Sequence, residues 1–203
     1  MGFDHNAADD QAFGHKPVLL DECLDALDIK PEGIYLDGTL GRAGHSLEIA
    51  KRLTTGRLIC LDRDETAIEA AKIRLADYKD RVTLVYSNFS RIADVLREMD
   101  IDGVDGMLFD LGVSSPQLDE ADRGFSYMHD APLDMRMDRT AALTARDVVN
   151  DWSYEDLRRI LFEYGEERYA PAIARAIVSR RQESPIETTG QLVSIIRGAM
   201  PPA

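Results

Sequence analysis

The sequence has little cysteine, few aromatic residues and no excess of positive charge. Its 203 residues include two cysteines, and 7% of them are aromatic. Cys23 and Cys60 are too few for a disulfide framework and lack metal-ligand spacing, so we expect no metal site and a reducing cytoplasm. The formal net charge of -13 excludes a protein that coats nucleic acid generally, because phosphates would be repelled. A specific nucleic-acid surface would have to be local.

Long apolar runs are also missing. No stretch of 18 apolar residues occurs, so the sequence predicts no membrane-spanning helix and no membrane partner. Residues 1–11 are acidic and polar, which is not typical of a signal peptide. With 44% hydrophobic residues the chain can still bury a core. The length suits one domain, or one domain that carries a small insert.

Short apolar stretches alternate with helical patterns in the first half of the chain. This alternation is typical of α/β proteins with a doubly wound parallel sheet. Strands of such a sheet are buried on both faces, which explains why they lack polar alternation. The predicted strands are 34–36, 57–61, 82–86 and 104–109.

The alternation stops after the fourth predicted strand. Residues 111–142 show no sustained period, and helical patterns then follow one another without an intervening strand. We interpret residues 1–116 as the ligand-binding α/β part and residues 117–203 as a helical insert.

Three of the four predicted strands end in a carboxylate, at Asp37, Asp62 and Asp110. Ligands of doubly wound sheets bind outside the carboxyl ends of the strands. One such aspartate is usually a turn or capping residue, but three at successive strand ends indicate a binding site. Asp62, at the end of the second strand, suits the two hydroxyls of a ribose.

A glycine-rich segment follows the first strand at residues 37–45, D-G-T-L-G-R-A-G-H. Its glycines are spaced by three, so it is not the G-x-G-x-x-G dinucleotide motif. Asp37 would repel a diphosphate but attract an ammonium group. We therefore favour S-adenosyl-L-methionine over NAD, and a nicotinamide-dependent oxidoreductase remains the alternative. His45 either contacts the ligand or has a structural role.

Two further side chains are candidates for contact with an adenine. Phe89, just after the third strand, would flank the ring, or it is a core aromatic residue. Gln117 would bond the adenine edge or a substrate, or it is a solvated loop residue.

Several longer motifs in this sequence are similar to one known family. They stand at residues 37–45, 61–64, 110–119, 123–127, 132–138 and 164–168. Together they resemble the bacterial RsmH (MraW) family, which methylates N4 of a cytidine in 16S ribosomal RNA of the small subunit. The resemblance implies a Rossmann-like class I methyltransferase fold, and it makes the helical insert the substrate-recognition domain. It also implies cofactor contacts at Ala43, Gly44, His45, Asp62, Phe89, Asp110 and Gln117.

The chain departs from the family in two ways. The family commonly has glycine where this chain has Ala43, and a methyl group is tolerated there if φ is negative. Family members are also longer, and their additional sequence completes the sheet. We therefore expect this shortened chain to bind cofactor with little methyl transfer. A non-catalytic cofactor- or RNA-binding fragment is the second alternative, and a homodimer is left open.

Asp110 is the candidate catalytic residue. The lone pair of cytidine N4 is delocalised into the ring, so a carboxylate that accepts an N4 hydrogen would assist methyl transfer. The Asp/Asn-Pro-Pro-Tyr motif of many amino-methyltransferases is missing, and Asp110 with the next three residues stands in its place. The base must leave its stack to be reached.

Two groups of arginines are candidates for RNA contact. The first lies in residues 168–182, a stretch without carboxylates, where Arg168 and Arg175 would share a helix face. Its members are Arg168, Arg175, Arg180 and Arg181, and a solvated helix face is the alternative.

The second group is interleaved with Phe125 and Tyr127. Loops that bind RNA often combine basic and aromatic side chains in this way. Its members are Arg123, Arg136 and Arg139.

Overall fold

The computed structural model describes residues 17–201, and the chain falls into two compact units. Unit 1 runs to Ser114 and unit 2 begins at Ser115. The assignment of ligand binding to residues 1–116 and of substrate recognition to residues 117–203 remains a prediction.

Unit 1 contains the predicted alternation of strands and helices. Within residues 17–114, the strands are β1 (Ile34–Asp37), β2 (Arg57–Asp62), β3 (Val82–Tyr86) and β4 (Gly106–Leu108). The helices in the same range are α1 (Leu20–Leu27), α2 (Gly44–Arg52), α3 (Glu65–Arg74) and α4 (Ile92–Glu98), with 3₁₀ turns at Ala76–Tyr78 and Phe89–Arg91.

The strands form one parallel sheet in the order β3-β2-β1-β4. The predicted doubly wound parallel sheet is therefore confirmed. The fourth strand is shorter than the predicted 104–109, because only Gly106–Leu108 pairs in register with β1. Within the described residues β4 has a partner on one side only, and Met107 is exposed at this edge.

Alternate residues of the central strands enter two different hydrophobic clusters. Tyr35 and Leu58 pack with helix residues such as Ile49, whereas Leu36 and Ile59 belong to a second cluster. Successive side chains of a strand point to opposite faces, so these clusters lie on the two sides of the sheet. Burial on both faces is the reason the strands are apolar throughout.

Unit 2 is helical and has a core of its own. Within residues 115–201 its helices are α5 (Ser115–Asp119), α6 (Ala145–Asp151), α7 (Tyr154–Glu163), α8 (Ala170–Arg181) and α9 (Thr189–Ala199), with a 3₁₀ turn at Ala121–Arg123. The side chains of Leu133, Leu157, Ile173 and Ile186 are buried together in its centre. The irregular segment between α5 and α6 is fixed to the start of α9 by an antiparallel bridge between Pro132 and Thr188.

The described part of the chain has neither a membrane-spanning helix nor a cluster of metal-binding side chains. No helix in residues 17–201 is long and apolar enough to cross a membrane. In the same residues, no three histidine, cysteine or acidic side chains are grouped so that they could hold a metal ion.

Candidate functional site

The glycine-rich segment of residues 37–45, here called the glycine loop, crosses the carboxyl edge of the sheet. The Gly38 N–H donates to the Leu108 carbonyl at the end of β4 at 2.9 Å, and the Leu40 N–H donates to the Leu61 carbonyl of β2 at 3.0 Å. The loop is thus attached to the strands on both sides of β1. This edge is where ligands of such sheets bind.

Asp37 is the first residue of the glycine loop and is 1% exposed. Its Oδ1 accepts the Thr39 N–H at 3.0 Å, and its Oδ2 accepts the Ser46 hydroxyl at 2.6 Å. Burial raises the pKa of this carboxyl, and the bonds from Ser46 and Thr39 partly oppose that effect. The structure does not support the predicted contact with a ligand ammonium, because the carboxylate is covered and both of its oxygens accept hydrogen bonds from within the protein.

Asp62 is better placed to meet a ligand. Its Oδ2 accepts the Gly41 N–H at 2.8 Å and its Oδ1 accepts the Asp64 N–H at 2.9 Å. The residue is half-buried, and burial raises its pKa. The Arg63 N–H also approaches this carboxylate. A carboxylate has about four acceptor positions, so acceptor capacity remains for a ribose.

The start of helix α2 has an unusual cap. Its N-cap residue, Ala43, is buried and has the left-handed conformation, with φ of +59°. The expectation that a negative φ makes alanine acceptable at this position is therefore wrong. Its side chain makes no capping bond, whereas Asp64 caps the next helix through the Thr66 N–H. The first N–H groups of a helix have no partner within the helix and attract anions. This helix start therefore suits the carboxylate of an amino acid.

Gly44 and the side chain of His45 are in contact with other parts of unit 1. A Cβ atom on Gly44 would lie 2.4 Å from Cγ of Pro17, so this position requires glycine. The His45 ring is buried, and its Nε2 lies 3.1 Å from the carbonyl oxygen of Val18. Any ligand contact of these two residues is therefore expected from their backbone N–H groups.

An aromatic pair spans the same edge of the sheet. Phe89 follows β3 and Phe109 follows β4, which are the outermost described strands, yet their ring centroids are 5.8 Å apart at 76°. Both rings are exposed, and the Phe109 ring lies so close to Gly38 that a Cβ there would be 2.3 Å away. Phe89 is therefore not a core residue. Phe109 is a neighbour of the site that the sequence analysis missed, although its position beside Asp110 was a signal.

Asp110 lies two residues beyond β4 and is exposed. Its backbone N–H donates to Thr39 Oγ1 at 2.6 Å, which ties it to the glycine loop. Thr39 is a second residue that sequence reasoning missed, since a threonine between glycines carries no distinctive signal. The catalytic role of Asp110 stays a prediction.

Gln117 belongs to unit 2, in helix α5. It is buried, so the alternative of a solvated loop residue is wrong. Its contact with an adenine or a substrate stays a prediction.

The arginines near Phe125 divide into structural and exposed residues. Arg123 is 3% exposed, and its Nη2 donates to the carbonyls of Arg136 and Met137 at 3.1 Å each. Its predicted contact with RNA is therefore replaced by a structural role. Arg136 binds the Asp134 carboxylate at 2.7 Å. Of the three predicted contacts only Arg139 is fully exposed.

The arginines around helix α8 divide in the same way. Arg168 and Arg175 do not share a helix face, because α8 begins at Ala170. Arg181 donates to the carbonyls of Val149 and Trp152, and Arg180 pairs with Glu183 at 3.1 Å. Arg168 and Arg175 are exposed, and their side chains make no ion pair or hydrogen bond with any residue in the range 17–201. These two remain the candidates for phosphate contact.

Comparison with known proteins shows the family to which the chain is similar. The model of the MraW methylase family matches residues 12–203. The chain is 55% identical over 193 residues to Ribosomal RNA small subunit methyltransferase H of Brevibacillus brevis, covering 95% of this chain and 62% of the relative. It is 57% identical over 198 residues to the protein of the same name from a Paenibacillus species, covering 94% and 63%. The chain thus spans less than two thirds of the length of these relatives.

A weaker similarity exists to a solved structure, that of a SAM dependent methyltransferase from Aquifex aeolicus. The two are 15% identical, the match covers 80% of this chain and 89% of that one, and the TM-score is 0.37. This similarity is too low to support a conclusion, so the fold rests on the observed sheet.

Proposed function

The chain belongs to the MraW methylase family, and from that premise we propose that it acts in S-adenosylmethionine-dependent methylation of cytidine N4 in 16S ribosomal RNA. The observation that carries the proposal is the glycine loop, which places Asp62 and the uncapped start of α2 at one edge of the sheet. Because the chain belongs to a methylase family, we no longer consider a nicotinamide-dependent oxidoreductase as the alternative.

The residues at this edge fit S-adenosylmethionine. The free acceptor positions of Asp62 suit the ribose hydroxyls, and the N–H groups at the start of α2 suit the carboxylate of the methionyl part. The exposed ring of Phe89 suits an adenine face. Asp37 contributes indirectly, because it fixes the loop from which Gly41 binds Asp62.

Methyl transfer needs alignment and a place for one proton. The bound cofactor would supply a methyl group activated by its sulfonium, and the protein would hold the cytidine amine in line with it. Asp110 is anchored by Thr39 and would accept an N4 hydrogen, which makes the nitrogen a better nucleophile. After transfer, the same carboxylate or water would take the released proton.

The substrate would be held by exposed cations of unit 2. Arg139, Arg168 and Arg175 are exposed, and in the range 17–201 the side chains of the last two have no bonded partner. Such guanidinium groups can bind phosphates without first losing an internal ion pair. The proposed partner is the small ribosomal subunit, which implies a cytoplasmic location. The homodimer stays a prediction, to be tested by sedimentation.

A transfer assay tests the proposed function. The chain, alone and extended to the length of its relatives, is incubated with radiolabelled S-adenosylmethionine and unmethylated small ribosomal subunits. We expect N4-methylcytidine in the digested 16S RNA from the extended protein, and much less from an Asp110→Asn variant. A label on another nucleoside would contradict the proposal. Cofactor binding without transfer at either length would favour the non-catalytic alternative.

A further inference from the structure

Met135 has a backbone conformation that is unfavourable for its side chain. Its φ is +58°, in the left-handed region that glycine adopts easily and that a side chain with a Cβ does not. The residue is nevertheless 50% exposed, so burial of its side chain does not offset the unfavourable backbone energy. Strained residues of this kind are concentrated at functional sites. The exposed side chain is therefore a candidate for a contact outside the molecule.

The strained conformation is fixed by a buried cation. The Met135 N–H donates to the Arg123 carbonyl at 2.9 Å, while the Arg123 guanidinium binds the carbonyls of Arg136 and Met137. The Asp134 carboxylate accepts the Arg136 N–H at 2.9 Å. The bonds to the Met135 and Arg136 N–H groups hold the two peptide groups that flank Met135, and the guanidinium holds the carbonyls of the next two residues. We call residues 123–139 the methionine loop.

Two segments of the methionine loop are in close backbone contact at Gly124. A Cβ atom at this position would lie 2.3 Å from the Pro132 carbonyl oxygen and 2.9 Å from the Asp134 nitrogen. Only glycine permits this approach, which brings the backbone at residues 123 and 124 next to the stretch that carries Met135. The loop is therefore a preorganised surface.

The exposed side chains of this loop suit a flat, unpaired base. Tyr127 and Met128 are each 74% exposed, and Arg139 is exposed on the same loop. Aromatic rings stack on bases, thioethers make favourable contacts with aromatic rings, and arginine binds phosphate. A protein partner would not require an exposed cation on the same loop as the exposed ring. The combination therefore favours RNA.

We propose that Met135 is a substrate-contact residue that packs against an unstacked base of the RNA, and that Arg123 is the positioning residue that holds it there. This inference rests on the proposed function and extends it to one side chain. It predicts that affinity for RNA and stability of the fold respond in opposite directions to one substitution.

Variants at Met135 separate the two effects. Met135→Ala keeps the backbone cost but removes the contact, so the affinity for unmethylated small ribosomal subunits should fall about threefold to tenfold. Met135→Gly should lose the same affinity while its melting temperature rises by about 2–4 °C, because glycine relieves the strain. Met135→Leu keeps an apolar side chain and should bind close to the unsubstituted chain.

The matched control is Asp100→Gly in unit 1, where φ is +54°. It should raise the melting temperature and leave RNA affinity unchanged. Filter binding and thermal unfolding are measured on the same preparations. If Met135→Ala and Met135→Gly bind subunits like the unsubstituted chain, or if Met135→Leu loses as much as Met135→Ala, the inference is wrong. If the unsubstituted chain itself does not bind subunits, the proposed function fails instead.

Discussion

The glycine loop and the methionine loop are both held by a buried charge, but the charges have opposite signs. The Asp37 carboxylate can only accept hydrogen bonds, and it takes the Thr39 N–H of the glycine loop and the Ser46 hydroxyl of α2. Arg123 can only donate, and it takes two carbonyls of the methionine loop. Each loop also contains a residue other than glycine in the left-handed region, Ala43 at +59° and Met135 at +58°.

The difference lies in what each loop leaves exposed. Ala43 is buried and has no polar side chain, so the glycine loop offers the backbone N–H groups at the start of α2. Met135 and Tyr127 are exposed, so the methionine loop offers side chains. Backbone groups suit a small ligand of fixed shape, whereas side chains suit a larger partner. We therefore expect the two loops to bind different kinds of ligand.

Removal of the buried cation should have the largest effect. Arg123→Met would leave the carbonyls of Arg136 and Met137 without their donor, so unit 2 should lose about 3 kcal/mol of stability. Urea unfolding followed by circular dichroism measures this loss. Arg139→Met removes an exposed arginine of the same loop and should cost almost nothing. Equal losses in the two variants would show that the buried guanidinium does not hold the loop.

Removal of the buried anion should have the next largest effect. Asp37→Ala leaves the Thr39 N–H without its acceptor and the Ser46 hydroxyl with only the Cys60 sulfur as a partner, which should cost about 2 kcal/mol in urea unfolding. S-adenosylmethionine binding should weaken as well, because the glycine loop is no longer fixed. Unchanged stability would contradict the role assigned to Asp37.

The pH dependence of the same site has a defined sign. The pKa of Asp37 is raised by burial above its ordinary value of 3.8, so the folded state holds this proton more tightly than the unfolded state. Its contribution is fully present below pH 3.8 and is lost as pH rises through the raised pKa. The stability of the unsubstituted chain relative to Asp37→Asn should therefore decline across that window. Urea unfolding at several pH values checks this, and a rising difference would contradict it.

A smaller effect is expected from the exposed arginines of unit 2. Replacement of Arg168 and Arg175 by alanine should weaken RNA binding and flatten its dependence on salt by about 1.5 units of slope. Arg181→Ala removes a guanidinium that binds two carbonyls, so it should lower stability without changing that slope. An unchanged slope in the double variant would mean that neither arginine neutralises a phosphate.

The smallest effect is expected at Ala43. Ala43→Gly should stabilise unit 1 by about 1 kcal/mol, because glycine adopts the left-handed conformation more easily. Cofactor affinity should stay the same, since the N–H groups of α2 are retained. A thermal melt together with calorimetry checks both parts. Destabilisation would show that the buried methyl group contributes more through packing than it costs in the backbone.

The sequence predicted the sheet well because its signals are local. Continuous apolar runs and terminal aspartates mark β1 and β2, and their burial on both faces follows from the same composition. Burial of individual charges was not predictable in this way. Asp37 and Arg123 looked like ligand contacts, and only the packed structure shows that their partners are loop groups.

Contacts between distant residues account for the remaining differences. Phe109 meets Phe89 across the end of the sheet, and Arg181 reaches carbonyls of a neighbouring helix. Neither contact follows from spacing along the chain. The φ of Ala43 was likewise not predictable, because alanine seldom adopts a positive value.

Calorimetric titration with S-adenosylmethionine tests the assignment of the glycine loop most directly. We expect one binding site per chain, weakened by about 2 kcal/mol or more in Asp62→Ala, because two ribose hydroxyls lose their acceptor. NADH should not compete for this site. Binding of S-adenosylmethionine that is unaffected by Asp62→Ala, or binding of NADH in its place, would contradict the assignment.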